Sequence, residues 1–175
     1  QDLLRASQGL NIGQHFLPGA LTFDPVVTNL DADLASRIVW LDAFLTNIDR
    51  TVRNTNMLMW RKELWLIDHG SCLYFHHSWS NWERHATGPF EPIKDHVLLP
   101  QATRLIEADA YCRSRLSSET LRAIVATIPD DWLRWDDAEG TPDELRAIYE
   151  RFLIMRLDRS AAFTIVAQDA RQALV

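Results

Sequence analysis

The period with which apolar positions recur changes along the chain, and each change marks an element. Over residues 1 to about 30 the apolar positions are interrupted by Gly9, Gly13, Pro18, Gly19 and Pro25. This predicts an irregular lead-in, with a short extended segment over 12–17 and a turn at Pro18-Gly19. The period then becomes helical: Leu34, Ile38, Leu41 and Leu45 fall at i, i+4, i+7 and i+11, with Asp31 or Asp33 placed as the N-cap. Val39, Trp40 and Phe44 make the other faces apolar too, so the pattern predicts a buried central helix. Two short apolar runs, Met57 to Trp60 and Leu64 to Ile67, flank Arg61-Lys62-Glu63 and read as a small β-hairpin. Gly70 permits a sharp turn after Asp68.

The stretch from Ser71 to Pro92 is aromatic-rich and irregular, a loop whose length suggests function. Helical spacing returns with a short segment over 93–99 before Pro100, then Leu105, Ala108, Cys112 and Leu116, then Leu121, Ile124, Val125 and Ile128, opened by Ser117 or Ser118 and stopped by Pro129. Thr141-Pro142-Asp143-Glu144 is a capping box with Pro at the first helical position, followed by Leu145, Ile148, Tyr149, Phe152 and Leu153 on one face. Only Pro129 to Gly140 resembles a linker, and it is too short to separate domains. The expected architecture is one domain over 1–175, mostly α with a small β-hairpin.

Composition narrows the function classes. With 47% hydrophobic and 24% charged residues the chain reads as an ordinary globular protein. The formal charge of -6 and the lack of a basic block interleaved with aromatics argue against direct nucleic-acid binding. No run approaches the ~20 apolar residues of a membrane span. Two cysteines, Cys72 and Cys112, suit a reduced, cytoplasmic setting. The start, Gln1-Asp2-Leu3-Leu4-Arg5, reads like the middle of something longer.

The candidate chemistry sits between the central helix and the aromatic loop. Asp49 is followed five residues later by Asn54, then by the hairpin, then by Asp68-His69-Gly70. Phosphoryl transfer from a Mg-nucleotide needs one acid to orient the acceptor hydroxyl, and a second acid with an amide oxygen to hold Mg²⁺ against the phosphates. The order Asp-x4-Asn, hairpin, Asp-x-Gly supplies those groups. Arg50 and Arg53 flank Asp49 and would either form salt bridges or contact phosphate or acceptor. His69 would either pack or take a direct part. His76, His77, His85 and Cys72 lack a recognised zinc spacing, which favours packing or acceptor-side hydrogen bonds. The tryptophans at 60, 65, 79, 82, 132 and 135 read as core rather than as a ligand platform.

The run from Trp40 through Asp49-Arg50-Thr51-Val52-Arg53-Asn54 to Asn56, then Leu64-Trp65-Leu66-Ile67-Asp68-His69-Gly70 and Tyr74-Phe75-His76-His77, resembles the HipA-like kinase family. A looser likeness extends from Gly9-Leu10-Asn11-Ile12-Gly13 to Lys94-Asp95-His96-Val97-Leu98-Leu99-Pro100. The resemblance implies a Ser/Thr kinase with a two-lobed kinase-like fold, in a family some of whose members are toxins of toxin–antitoxin systems. It makes Asp49 the catalytic base and Asn54 and Asp68 the Mg²⁺ ligands. It also sets Phe16 and Leu17 on the adenine side of the cleft, with ATP and Mg²⁺ as cofactors and a protein hydroxyl as acceptor.

Asn47-Ile48 stand where ordinary protein kinases have His-Arg, and no Ala-Pro-Glu follows the Asp-x-Gly. The only lysines are Lys62 and Lys94, and no G-x-G-x-x-G occurs. The expectation is therefore a kinase C-terminal lobe, with 1–30 as its hinge-side lead-in. Its partner would be the missing N-terminal lobe, another protein or a second copy, and alone it would be weakly active or inactive. Two other classes remain open: a non-catalytic binding module, and a kinase-like phosphotransferase for small molecules.

Overall fold

The computed structural model describes residues 7–77, 79–134 and 140–174. Among these are six α-helices, packed mainly on one another, and a small three-stranded antiparallel sheet. Helix α1 (Ala32–Phe44) starts at Asp31, whose carboxylate accepts from the backbone N–H of Asp33 and Leu34 at 2.9 and 3.2 Å. It buries Ala35, Ile38, Val39, Trp40, Ala43 and Phe44, together with the polar Ser36 and Asp42. Leu34, expected on the apolar face, is 43% exposed in the first turn. Trp40 stacks on Phe44 with centroids 5.1 Å apart, and its Nε1 donates to Asp109 Oδ1 at 2.8 Å, so the one polar atom of the indole is satisfied inside the core.

The sheet corrects the expected hairpin in two ways. Strands β2 (Met57–Trp60) and β3 (Glu63–Leu66) pair antiparallel, with Trp60 opposite Glu63, so the turn is only Arg61-Lys62. Both turn residues have positive φ, 51° and 70°, as a two-residue turn matched to strand twist requires. A third strand, β1 (Leu21–Thr22), pairs with β2 through Leu21 opposite Met59 and Thr22 opposite Leu58, inside the stretch expected to be irregular. Gly19, at φ 76°, reverses the chain there, the Ala20 N–H reaches Leu17 O at 3.2 Å, and buried Phe23 donates to Met57 O at 3.0 Å. A strand of two residues leaves no period in the sequence to read.

The aromatic loop is also more ordered than its composition predicts. It holds a 3₁₀ turn over Tyr74–His77 and helix α2 (Trp82–Thr87). The expected short helix over 93–99 is replaced by two 3₁₀ turns, Glu91–Asp95 and Leu99–Gln101, each carrying a proline in its first turn. Helices α3 (Leu105–Arg115) and α4 (Ser118–Val125) follow, α4 capped by Ser117 Oγ, which accepts from the Thr120 N–H at 3.0 Å. Helix α5 (Pro142–Asp158) has the expected capping box: the Glu144 N–H donates to Thr141 Oγ at 3.3 Å and the Thr141 N–H to Glu144 Oε2 at 2.8 Å. Helix α6 (Ser160–Gln172) packs against α1 and α3. The expected linker contains a 3₁₀ turn, Asp130–Leu133, anchored by buried Leu133; Trp135 of the tryptophan set lies outside the described residues.

One buried cation joins this scaffold to the site. Arg156, in α5, donates to Ala43 O and Phe44 O at the end of α1, and to His85 O and Gly88 O at the end of α2. These carbonyls lie at helix C-termini, where the aligned backbone dipoles leave partial negative charge that a cation offsets. Burial pulls the Arg156 pKa down to about 10, still well above neutrality, so the cation persists in the core. Among the described residues no helix is long and apolar enough to cross a membrane.

Candidate active site

The loop that carries Asp49 is built on the last turns of α1. Asp42 is the one acid on the buried side of that helix, and both it and Arg50 are essentially inaccessible, at 0% and 1% exposure. A buried carboxylate persists only if its oxygens are paired. Here Oδ1 accepts from Asn47 Nδ2 at 2.8 Å, and Oδ2 accepts from Arg50 Nε at 2.6 Å and lies 2.9 Å from His96 Nε2. His96 Nδ1 accepts from the Leu98 N–H at 3.0 Å, so the ring proton sits on Nε2 and is donated to Asp42. Burial alone would raise the Asp42 pKa, but the hydrogen bonds from His96 and Arg50 outweigh it and hold the group below the ordinary carboxylate value.

Each partner of Asp42 then holds part of the Asp49 loop. Asn47 accepts from the Asp49 N–H through Oδ1 at 3.1 Å. Arg50 donates to Asn56 O, and the Asn56 side chain donates back to Asp49, 3.2 Å to its carbonyl and 3.3 Å to Oδ2. Asn54 Nδ2 donates to the same Oδ2 at 2.8 Å. The Thr51 N–H reaches Asn54 O at 2.9 Å, closing the turn that makes the five-residue spacing work. On the far side, the Val97 N–H donates to Arg50 O at 3.0 Å beside an isolated bridge between Thr51 and His96.

Asp68 is tied to this loop through the backbone. The Ile67 N–H donates to Asn56 O at 3.0 Å, so the residue whose side chain holds Asp49 also fixes the segment that leads from β3 to Asp68. Asp68 takes φ 50°, a left-handed conformation that a short polar side chain tolerates. The turn expected at Gly70 is thus made at Asp68. Gly70 instead allows close approach: its N–H lies 3.3 Å from Asp68 Oδ1, and a Cβ there would meet the same oxygen at 3.3 Å.

Two depressions flank the β2–β3 surface and share Leu58 and Ile67. One, of about 480 Å³, is lined by Phe16, Leu17 and Asp68; the other, of about 580 Å³, by Thr22, Arg53, Asn54 and Asn56. Leu17 is buried, whereas Phe16 stands 80% exposed at the mouth. Phe16, Leu17, Asp68 and Asn54 are therefore brought onto one surface, with Asp49 hydrogen-bonded to Asn54 at its edge.

Arg50 takes the salt-bridge alternative. Its guanidinium is committed to Asp42, Asn56 O and His69, inside the loop and out of reach of a nucleotide or acceptor on that surface. Arg53 remains exposed along the larger depression. His69 Nε2 lies 3.2 Å from Arg50 Nη2, and desolvation followed by the Arg50 charge lowers its pKa, which keeps the ring neutral and able to accept that bond. His76 Nδ1 lies 3.3 Å from the Tyr149 hydroxyl, and burial pushes the Cys72 thiol up to about 12, so it is inert as a thiolate. The side chain of His77 lies outside the described residues. No group of three or more His, Cys, Asp or Glu that could hold a metal occurs among the described residues.

Sequence reasoning missed Asp42, Asn47, Asn56 and His96 as members of the site. A signal existed for Asp42: an acid in the last turn of a helix apolar on nearly every face is buried, and a buried acid must have partners. Nothing local pointed to His96, which is 54 residues away.

Comparison with known families finds a match to the HipA-like kinase family over residues 9–160. Neither the curated proteins nor the solved structures give a match. A match over that much of the chain, which includes every residue of the Asp42–Asp49–Asp68 network, shows that the chain belongs to the HipA-like kinase family.

Proposed function

We propose that this chain is the C-terminal lobe of a serine/threonine kinase that transfers the γ-phosphoryl group of Mg-ATP to a protein hydroxyl. The carrying observation is the hydrogen-bonded pair Asp49–Asn54 fixed beside Asp68 by Asn56. Adenine would lie against Leu17 and Phe16, with Leu58 and Ile67 beneath it, and the phosphates would run toward Asp68 and Asn54. The donor set fits Mg²⁺: one carboxylate and one amide oxygen, hard ligands that leave positions for phosphate and water. With Nδ2 of Asn54 turned to Asp49, its Oδ1 is left for the metal. Bound there, Mg²⁺ would neutralise charge on the phosphate oxygens.

Asp49 orients the acceptor hydroxyl and takes its proton. The new bond forms between that oxygen and Pγ as the bond from Pγ to the β,γ-bridging oxygen breaks, leaving ADP. The chain carries no G-x-G-x-x-G and no lysine before Asp49, so the grip on the phosphates from above falls to a partner lobe. The exposed apolar residues of the lead-in, Ile12, Phe16, Val26 and Val27, offer a surface for that lobe.

The nucleotide side of this reading is tested by titrating Mg²⁺ and a non-hydrolysable ATP analogue into the chain and into Phe16→Ala and Leu17→Ala. Loss of apolar contact should weaken binding about tenfold for Leu17→Ala and less for Phe16→Ala, with melting unchanged for the latter. Equal affinity in all three proteins would rule out an adenine site against this segment.

A further inference from the structure

A third cavity, of about 460 Å³, opens on the other side of the Asp49 loop and is unassigned by anything above. Its floor is Phe75 and Phe90, both buried, and its mouth is framed by Ile48, Tyr74 and Glu91. Ile48 and Tyr74, 41% and 54% exposed, are reachable from solvent at the mouth.

The cavity is preformed, because its walls are tied to one another. Arg156 binds the carbonyls that end α1 to those that end α2, fixing the Thr46 side against the His85 side. The Leu73 N–H donates to Leu45 O at 2.7 Å, which locks the Tyr74 wall to the base of the Asp49 loop. Phe75 is stacked on Phe152 at 4.3 Å, so the floor does not collapse into the space. A preformed recess spares its ligand the cost of ordering the protein.

Its position identifies the occupant. Ile48 is the residue before Asp49, so a group resting on Ile48 lies beside the acceptor hydroxyl. An extended chain advances about 3.3 Å per residue, which puts the residue entering the cavity about one to three positions from the one phosphorylated. We infer that this cavity is the specificity pocket of the acceptor protein: it takes a large apolar side chain near the target Ser or Thr, and Glu91 at the rim takes a Lys or Arg beside it. This rests on the kinase reading, but its test does not depend on turnover.

Fluorescein-labelled nine-residue peptides with a central Ser in an Ala background, carrying one Phe at a position from −3 to +3, with and without an adjacent Arg, are titrated against the full chain by anisotropy. One position, or two neighbouring ones, should tighten binding about tenfold or more over the all-Ala peptide. That gain should vanish in Ile48→Asp, and in Tyr74→Glu as a second variant should Ile48→Asp fail to fold; Glu91→Lys should remove only the contribution of Arg. Asp49→Ala should keep the positional preference, which separates this inference from catalysis: if the complete kinase transfers no phosphate while this chain shows the preference, the kinase reading fails and the pocket stands. A flat response to Phe position, or a preference unchanged in a folded Ile48→Asp protein, would overturn the inference.

Discussion

Asp49→Ala is expected to lower phosphoryl transfer by the complete kinase about 10²–10⁴-fold, the range for loss of a positioned general base. The fold should survive, since Asp49 is only partly buried, Asn54 is exposed and can turn to water, and the Asn56 amide keeps its bond to the Asp49 carbonyl. The loss should fall on kcat more than on nucleotide affinity, because Asp49 acts on the hydroxyl and the metal rests with Asn54 and Asp68. A steady-state assay with labelled ATP and any phosphorylated acceptor reads this directly. Unimpaired transfer by the folded variant would remove Asp49 from the reaction.

Asp42→Ala should do the opposite: it should damage the fold first and activity through it. The substitution leaves the buried Arg50 guanidinium without its carboxylate and deprives His96 and Asn47 of their shared acceptor. Breaking one side of a buried ion pair costs about 3–5 kcal/mol. For a chain of this size that corresponds to a fall of about 10 °C in melting temperature. The pH dependence has a defined sign. The folded pKa of Asp42 lies below its ordinary value of 3.8, so its stabilisation is fully present above that value. It is lost as pH falls through the lower folded pKa. Wild type should therefore lose stability on the acid side of 3.8 more steeply than Asp42→Ala, and parallel acid profiles for the two would contradict the network.

How much of this was legible in the sequence follows from how local each feature is. Helix α5 announced itself because its capping box and apolar face lie within one segment, and α1 because Asp31 caps it four-square with the apolar run that follows. The Asp49–Asn54 pair was readable because a single turn closes it. Strand β1 was not readable: its two residues are extended only because β2 lies beside them. Helix α2 lay hidden in an aromatic, proline-flanked stretch, where its terminal carbonyls are met by Arg156 from 68 and 71 residues away.

Within the site the same distinction holds. Arg50 had two readings because its sequence neighbours do not reveal whether it faces inward. The burial of Asp42 decides the matter, since an inward acid eight residues earlier needs a cation. The contribution of Asn56 depends on the β2–β3 pairing, which carries the Ile67 N–H to Asn56 O and thereby Asp68 to Asp49. The sequence suggests a turn at Gly70, but Asp68, with its backbone in the left-handed region, makes it, and the glycine supplies room for the Asp68 carboxylate.

The central claim is a division of labour: Asn54 and Asp68 hold the metal, and Asp49 handles the proton. Mn²⁺ in place of Mg²⁺, titrated with a non-hydrolysable ATP analogue and followed by electron paramagnetic resonance, reads the metal directly. Nucleotide-dependent Mn²⁺ binding should weaken at least about tenfold in Asn54→Ala and in Asp68→Ala, each a lost oxygen ligand, and should persist in Asp49→Ala. Binding that survives Asp68→Ala, or that is lost only when Asp49 is replaced, would contradict the account.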